Sequence, residues 1–168
     1  MDISVVPNGS EALLDWGRGA RRAAIGRGGI AIKRREGDGV TPIGSFAIRK
    51  VFYRADRLAM PGTALPLSAI APDDGWCDAP DDALYNRPVK RPYRASSEAL
   101  WREDHLYDLL VVLGYNDAPV VPGRGSAIFL HVARPDFAPT EGCVAIALED
   151  LRELVAQLSQ GDAIKIQA

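Results

Sequence analysis

His131 and Cys143 are the two side chains of this sequence whose types and spacing suit joint chemistry. The histidine lies near the end of the apolar run Ser126-Ala127-Ile128-Phe129-Leu130-His131-Val132. The cysteine follows after residues 132–142 and sits between Gly142 and the apolar Val144. A loop of that length can fold back and bring thiol and imidazole together. A free thiol has a pKa near 8.5, and an adjacent imidazolium lowers it by several units, which creates a thiolate nucleophile at neutral pH. Gly142 removes side-chain bulk where a carbonyl would approach, and the Gly142 and Cys143 amides are the expected oxyanion donors. The same pair of residues also fits a packed imidazole and an inert buried thiol, because free cysteines are among the most buried residues. The residues around the pair must decide.

The elements that would hold such a site read as short strands. Ile3-Ser4-Val5-Val6, Leu13-Leu14-Asp15-Trp16, Arg22-Ala23-Ala24-Ile25 and Gly29-Ile30-Ala31-Ile32 are each followed by a Gly-rich or Pro-Asn-Gly turn signal. Strands spaced in this way predict a sandwich or barrel. A longer strand follows at 45–53, and strongly apolar ones at 107–115 and 126–132. Between them, residues 56–104 carry prolines at 61, 66, 72, 80, 88 and 92, which exclude a long helix or a central strand. The stretch also holds Trp76, Tyr85 and Tyr93, so it reads as an ordered insertion over one end of the sheet. Leu151, Leu154, Val155 and Leu158 predict one helix over 148–159, with Glu149 and Asp150 in its first turn and Gly161 ending it. A closing strand follows at 163–167. The fold class is mostly β, sandwich-like, with one C-terminal helix, in a single domain spanning 1–168.

Composition narrows the class further. Twenty Lys plus Arg against 22 Asp plus Glu leave a net charge of −2, and 47% of the 168 residues are apolar. That balance excludes a disordered chain and does not announce a nucleic-acid binder. Apolar runs such as Leu109–Leu113 are far too short to span a bilayer. The first ten residues show neither a basic region nor an apolar signal core, so either a cytosolic start or a leader outside this sequence is expected.

Other residues invite chemistry less. His105 precedes a strand with no thiol or second ligand nearby in sequence, and reads as a surface histidine. Cys77 reads as a packed thiol. Cys77, His105, His131 and Cys143 have zinc-ligand types but no paired ligand spacing, so no metal is expected. Of the three tryptophans, Trp76 in the insertion is the candidate for stacking on a sugar. The stretch Arg87-Pro88-Val89-Lys90-Arg91-Pro92-Tyr93-Arg94 is locally basic; it is either a solvated loop or a device that steers carboxylates.

Two motifs carry a family resemblance. His131 followed by Pro139-Thr140-Glu141-Gly142-Cys143-Val144 resembles the active-site signature of L,D-transpeptidases with the YkuD domain. The segment from Lys33 to Phe46, ending in Thr41-Pro42-Ile43-Gly44-Ser45-Phe46, resembles the family's strand and turn with Thr-Pro-x-Gly-x-Phe. The stretches 75–78, 85–87, 106–108 and 114–116 resemble a compact bacterial branch, so the resemblance spans about residues 20–166. It implies a β-sandwich-like catalytic domain that acts on peptidoglycan stem peptides, with the cell envelope or periplasm as its location. It implies a cysteine acyltransferase: Cys143 attacks the third-residue carbonyl, D-Ala leaves, a thioester forms, and an amine takes the acyl group. Water in place of the amine gives L,D-carboxypeptidase cleavage, and a non-catalytic wall-binding module is the third alternative. His131 would hold and shuttle the proton, oriented by a backbone carbonyl, and Thr140 would position the loop. No cofactor is implied, and carbapenem-type β-lactams are the implied inhibitors. Many members carry Arg two residues after the cysteine, where this chain has Ala145. A basic contact to a substrate carboxylate is thus lost or supplied elsewhere, with Arg134 and Arg124 nearest in sequence.

Overall fold

The computed structural model describes residues 1–168. Its main sheet has nine strands, and their residue ranges follow the alternating apolar runs. They are β1 (Asp2–Asn8), β2 (Glu11–Asp15), β3 (Arg21–Ala24), β6 (Gly44–Tyr53), β7 (Leu67–Ala69), β11 (Leu109–Leu113), β12 (Phe129–Val132), β13 (Val144–Ile146) and β14 (Ala163–Ile166). The order is β11-β12-β13-β3-β2-β1-β14-β6-β7, and β6 also pairs with β11, so the sheet closes on itself. Strand β6 makes this possible by its length. Its first half pairs with β14 and its second half with β11. Closure leaves only the short strand β7 as an edge of this sheet.

Alternation along each strand sorts side chains between two cores. Leu109, Val111 and Leu113 of β11, Leu130 and Val132 of β12, and Val144 and Ile146 of β13 point into a 26-residue core. Leu110, Val112 and Phe129 point the other way, into a second cluster of nine residues that includes Cys143. The outer face of β11 and β12 would meet water in a plain barrel. The insertion covers it with a three-stranded sheet, β8 (Asp74–Cys77) between β9 (Pro88–Lys90) and β10 (Ser97–Ala99). Part of the proline-rich insertion thus forms short strands of three or four residues, with Pro88 opening an edge strand where its missing N–H is harmless. A two-residue pair, β4 (Ile30–Ala31) with β5 (Thr41–Pro42), lies beside the site.

Helix α1 runs Leu148–Val155, shorter than the expected 148–159. Its Leu151, Leu154 and Val155 enter the larger core, and Leu158 joins them from the turn that follows. The apolar spacing therefore marks burial correctly but overstates the helix. Beyond Val155 the backbone tightens into a turn, and the Ser159 amide bonds to the Asp162 carboxylate. Gly161 sits in that turn at φ +93°, past the helix rather than at its end.

Candidate functional site

Strands β12 and β13 run parallel, joined by the excursion 133–143, and their register places His131 opposite Ala145. Cys143 lies two residues before Ala145, so it shares the face of Ala145 and His131, one pleat along. The Phe129 amide donates to Cys143 Sγ at 3.3 Å, and the thiol donates to the Ala127 carbonyl at 3.2 Å. The returning loop is held by backbone. Thr140 N–H donates to Ile25 O, and Arg27 N–H to Thr140 O, both at 2.9 Å.

Threonines from the two sequence motifs meet at this loop. Thr140 Oγ1 donates to the Cys143 carbonyl at 2.6 Å and accepts from the Gly142 amide at 3.1 Å. Thr41 Oγ1, fully buried, accepts from Gly26 N–H at 2.8 Å and donates to the Gly142 carbonyl at 2.9 Å. The Thr-Pro motif is therefore a strut for the cysteine loop. Gly142 has φ +138°, and a Cβ there would sit 2.9 Å from the Val40 carbonyl, so only glycine fits. Its amide is engaged by Thr140, which corrects the expectation that both amides face a substrate. The Cys143 amide has no partner within the protein and can bond a substrate oxygen.

His131 Nδ1 lies 2.9 Å from the Val132 carbonyl, which requires a proton on Nδ1. The lone pair of the neutral ring is then on Nε2. Tyr107 packs edge-on against the ring at 5.3 Å. Burial pushes the imidazole down to about 4, despite the Val132 hydrogen bond. Burial also pushes the Cys143 thiol up to about 12, with the charge of Glu98 adding to it and the Phe129 amide and Lys33 opposing it. A thiolate at rest, as expected from the pairing alone, does not match this setting. Both groups are desolvated, so thiol and imidazole are neutral until a substrate arrives.

Both side chains line a cleft of about 380 Å³. Thr140, Arg134 and Ala145 are on its wall, whereas Gly142 does not line it. Arg134 is half exposed, with Asp104 at 3.8 Å as its ion-pair partner, so it can meet a substrate carboxylate where Ala145 cannot. The structure corrects two expectations and decides between the two readings of the basic stretch. Arg124 is outside the cleft; its backbone carbonyl accepts from Tyr115. Trp76 is buried behind the site, edge-on to Phe129 at 5.1 Å, with its indole N–H on Asn86, so it cannot stack on a sugar in the cleft. The basic stretch 87–94 does not line the cleft, and its charges are used locally: Lys90 on Asp73 and Asp74, Arg94 on Asp82. His105 is exposed and bonded to Asp108, and Cys77 is buried away from the cleft.

Sequence reasoning missed Lys33, Glu36, Asp78, Glu98, Arg102 and Tyr107, all of which line the cleft. Lys33 is buried and paired with Asp38 at 2.6 Å. Lys33 opens the segment that leads into the Thr-Pro motif, which was a usable signal. Glu98 comes from the insertion with no pattern pointing to it, and Asp78 lies in the stretch 75–78, which carried the family resemblance without marking its carboxylate as functional.

The L,D-transpeptidase catalytic domain family, YkuD, matches residues 4–166. The chain belongs to that family. Among solved structures, this L,D-transpeptidase-family domain is similar to Mycobacterium tuberculosis L,D-transpeptidase 1, at 12% identity and a TM-score of 0.42. That likeness covers 98% of this chain and 59% of the mycobacterial one, so the domain spans about three fifths of that chain's length. No curated protein matches the domain. No helix is long and apolar enough to cross a membrane.

Proposed function

We propose that this domain is a cysteine acyltransferase acting on peptidoglycan stem peptides in the cell envelope. The observation that carries the reading is the placement of Cys143 and His131 on one face of adjacent parallel strands, lining one cleft. The family membership supports the substrate class.

In this reading a stem tetrapeptide lies in the cleft with its third-residue carbonyl at Cys143 Sγ. His131 Nε2 takes the thiol proton as sulfur attacks, because neither group is charged beforehand. The unpartnered Cys143 amide receives the carbonyl oxygen as it gains charge. The tetrahedral centre collapses, the C–N bond breaks, and D-Ala leaves with the proton from His131. A thioester remains on Cys143 and passes to an amine. Arg134 meets a stem carboxylate. Carbapenem-type β-lactams would acylate the same sulfur.

The test incubates purified protein with a stem tetrapeptide and follows products by mass spectrometry. Release of D-Ala, lost in Cys143→Ala, supports the reading. Wild-type protein that releases no D-Ala and forms no cross-linked product contradicts it. A water adduct without any amine adduct would assign hydrolysis to the same site instead.

A further inference from the structure

Glu98 lies in β10 on the insertion wall of the cleft, facing the space that Cys143 and His131 also line. Tyr107 OH donates to Glu98 Oε1, while Glu98 Oε2 has no partner in the protein. Asp78 lines the same wall, and its Oδ1 is buried without a hydrogen-bond partner. The neighbouring cations are already engaged. Arg102 grips Asp104 through two bonds of 2.8 and 2.7 Å, and Lys33 grips Asp38. Two carboxylates in a desolvated wall without a free counter-charge are costly, and a cationic ligand with several N–H donors relieves them.

We propose that Glu98, with Asp78 beside it, is the acceptor subsite: it binds the incoming amine as an ammonium and takes the proton that must leave before nitrogen can attack. This rests on the acyl-transfer reading above. A side-chain amine has a pKa near 10 and arrives without a lone pair. One proton passes from the ammonium to Glu98. The freed nitrogen attacks the thioester carbonyl, a second proton passes through His131 to sulfur, and the C–S bond breaks. The products are an amide and the Cys143 thiol, and Glu98 returns its proton to water. Burial, aided by Asp78 and Glu36, holds the Glu98 carboxyl above the usual range against Tyr107 and Arg102, which suits a base for this step. Asp78, Glu36, Tyr107 and Arg102, with Cys143 beyond them, are the titratable groups facing it.

The experiment supplies full-length protein with a stem tetrapeptide donor and two competing acceptors, Nα-acetyl-lysine amide and hydroxylamine. Lysine amine is charged at neutral pH, whereas hydroxylamine is neutral and needs neither an ammonium site nor a first deprotonation. Glu98→Gln keeps an acceptor oxygen for Tyr107. Its ratio of lysine to hydroxylamine transfer should fall by roughly 10²-fold, the usual lower bound for a lost base. Asp78→Asn should raise the lysine concentration needed for half-maximal transfer. Raising the pH should recover lysine transfer in Glu98→Gln as free amine accumulates, and a merely structural role would not give that recovery. An unchanged ratio and pH profile in Glu98→Gln overturns the proposal. A wild type that never acylates Cys143 removes the acyl-transfer reading, and this subsite with it.

Discussion

Thr41→Val is the substitution that most cleanly separates the strut from the chemistry. Valine matches threonine in shape but removes the hydroxyl that accepts from Gly26 N–H at 2.8 Å and donates to the Gly142 carbonyl at 2.9 Å. Thr41 is fully buried, so water cannot replace it. Each buried backbone group left unpaired costs about 1–3 kcal/mol, so the two together should cost about 2–4 kcal/mol after partial relaxation. For a chain of this size that is a fall in Tm of roughly 5–15 °C. Thr41→Ser keeps both bonds and loses one methyl group, so it should cost about 1 kcal/mol. The assay is urea unfolding of the three proteins, paired with the rate of Cys143 acylation below the transition. Thr41→Val should also acylate more slowly while folded, because the Gly142–Cys143 backbone that presents the sulfur and the free amide has lost its brace. A Thr41→Val protein within 0.5 kcal/mol of wild type, with unchanged acylation, would refute the strut.

Three further outcomes follow from the same structure. Alkylation of Cys143 by iodoacetamide should be slow at neutral pH and should rise about tenfold per pH unit through pH 9, because burial holds the thiol near 12; a plateau near pH 7 would mean a resting thiolate. His131 is held neutral down to about 4 when folded, against about 6.5 when unfolded, so the unfolded chain binds the extra proton in between. Stability contributed by this residue is present above pH 6.5 and is lost as pH falls towards 4, by about 3 kcal/mol, and urea midpoints across that window should lose the slope in His131→Gln. Lys33→Met should destabilise the protein by about 1–3 kcal/mol, because half-buried Asp38 would lose its cation and keep only the Arg34, Arg35 and Val40 amides as donors; circular dichroism melts would show it, and a neutral result would mean the pair is solvated.

Much of the site's scaffold was legible because it depends on short-range patterns. The apolar runs at 109–113 and 129–132 fixed two strands. Period-two alternation then places Phe129, His131 and Cys143 on one face once β12 and β13 pair in parallel. The Thr-Pro motif was visible, but its function as a brace for Gly142 was not, since Thr41 and Gly142 are a hundred residues apart and only the closed sheet joins them. Closure through β6 pairing on both sides leaves no mark in a linear pattern. Neither does solvation, which is why spacing suggested a thiolate while burial gives a neutral thiol. Trp76 and Arg124 were drawn in by residue type and by nearness in sequence. The fold spends the first on packing Phe129 and leaves the second outside the cleft. Glu98 went unseen because the insertion has no periodicity, only prolines and scattered aromatics, and Tyr107 was read only as the start of a strand.

The central claim is that Cys143 sulfur attacks a stem-peptide carbonyl with His131 Nε2 taking its proton. Peptide mapping of protein quenched in acid during turnover of a stem tetrapeptide tests it most directly. The account predicts a mass increase equal to the donor minus D-Ala on the peptide that holds Cys143, with none in His131→Gln at neutral pH. An adduct on Cys77, or D-Ala release with Cys143 unmodified and replaceable by alanine, would contradict it.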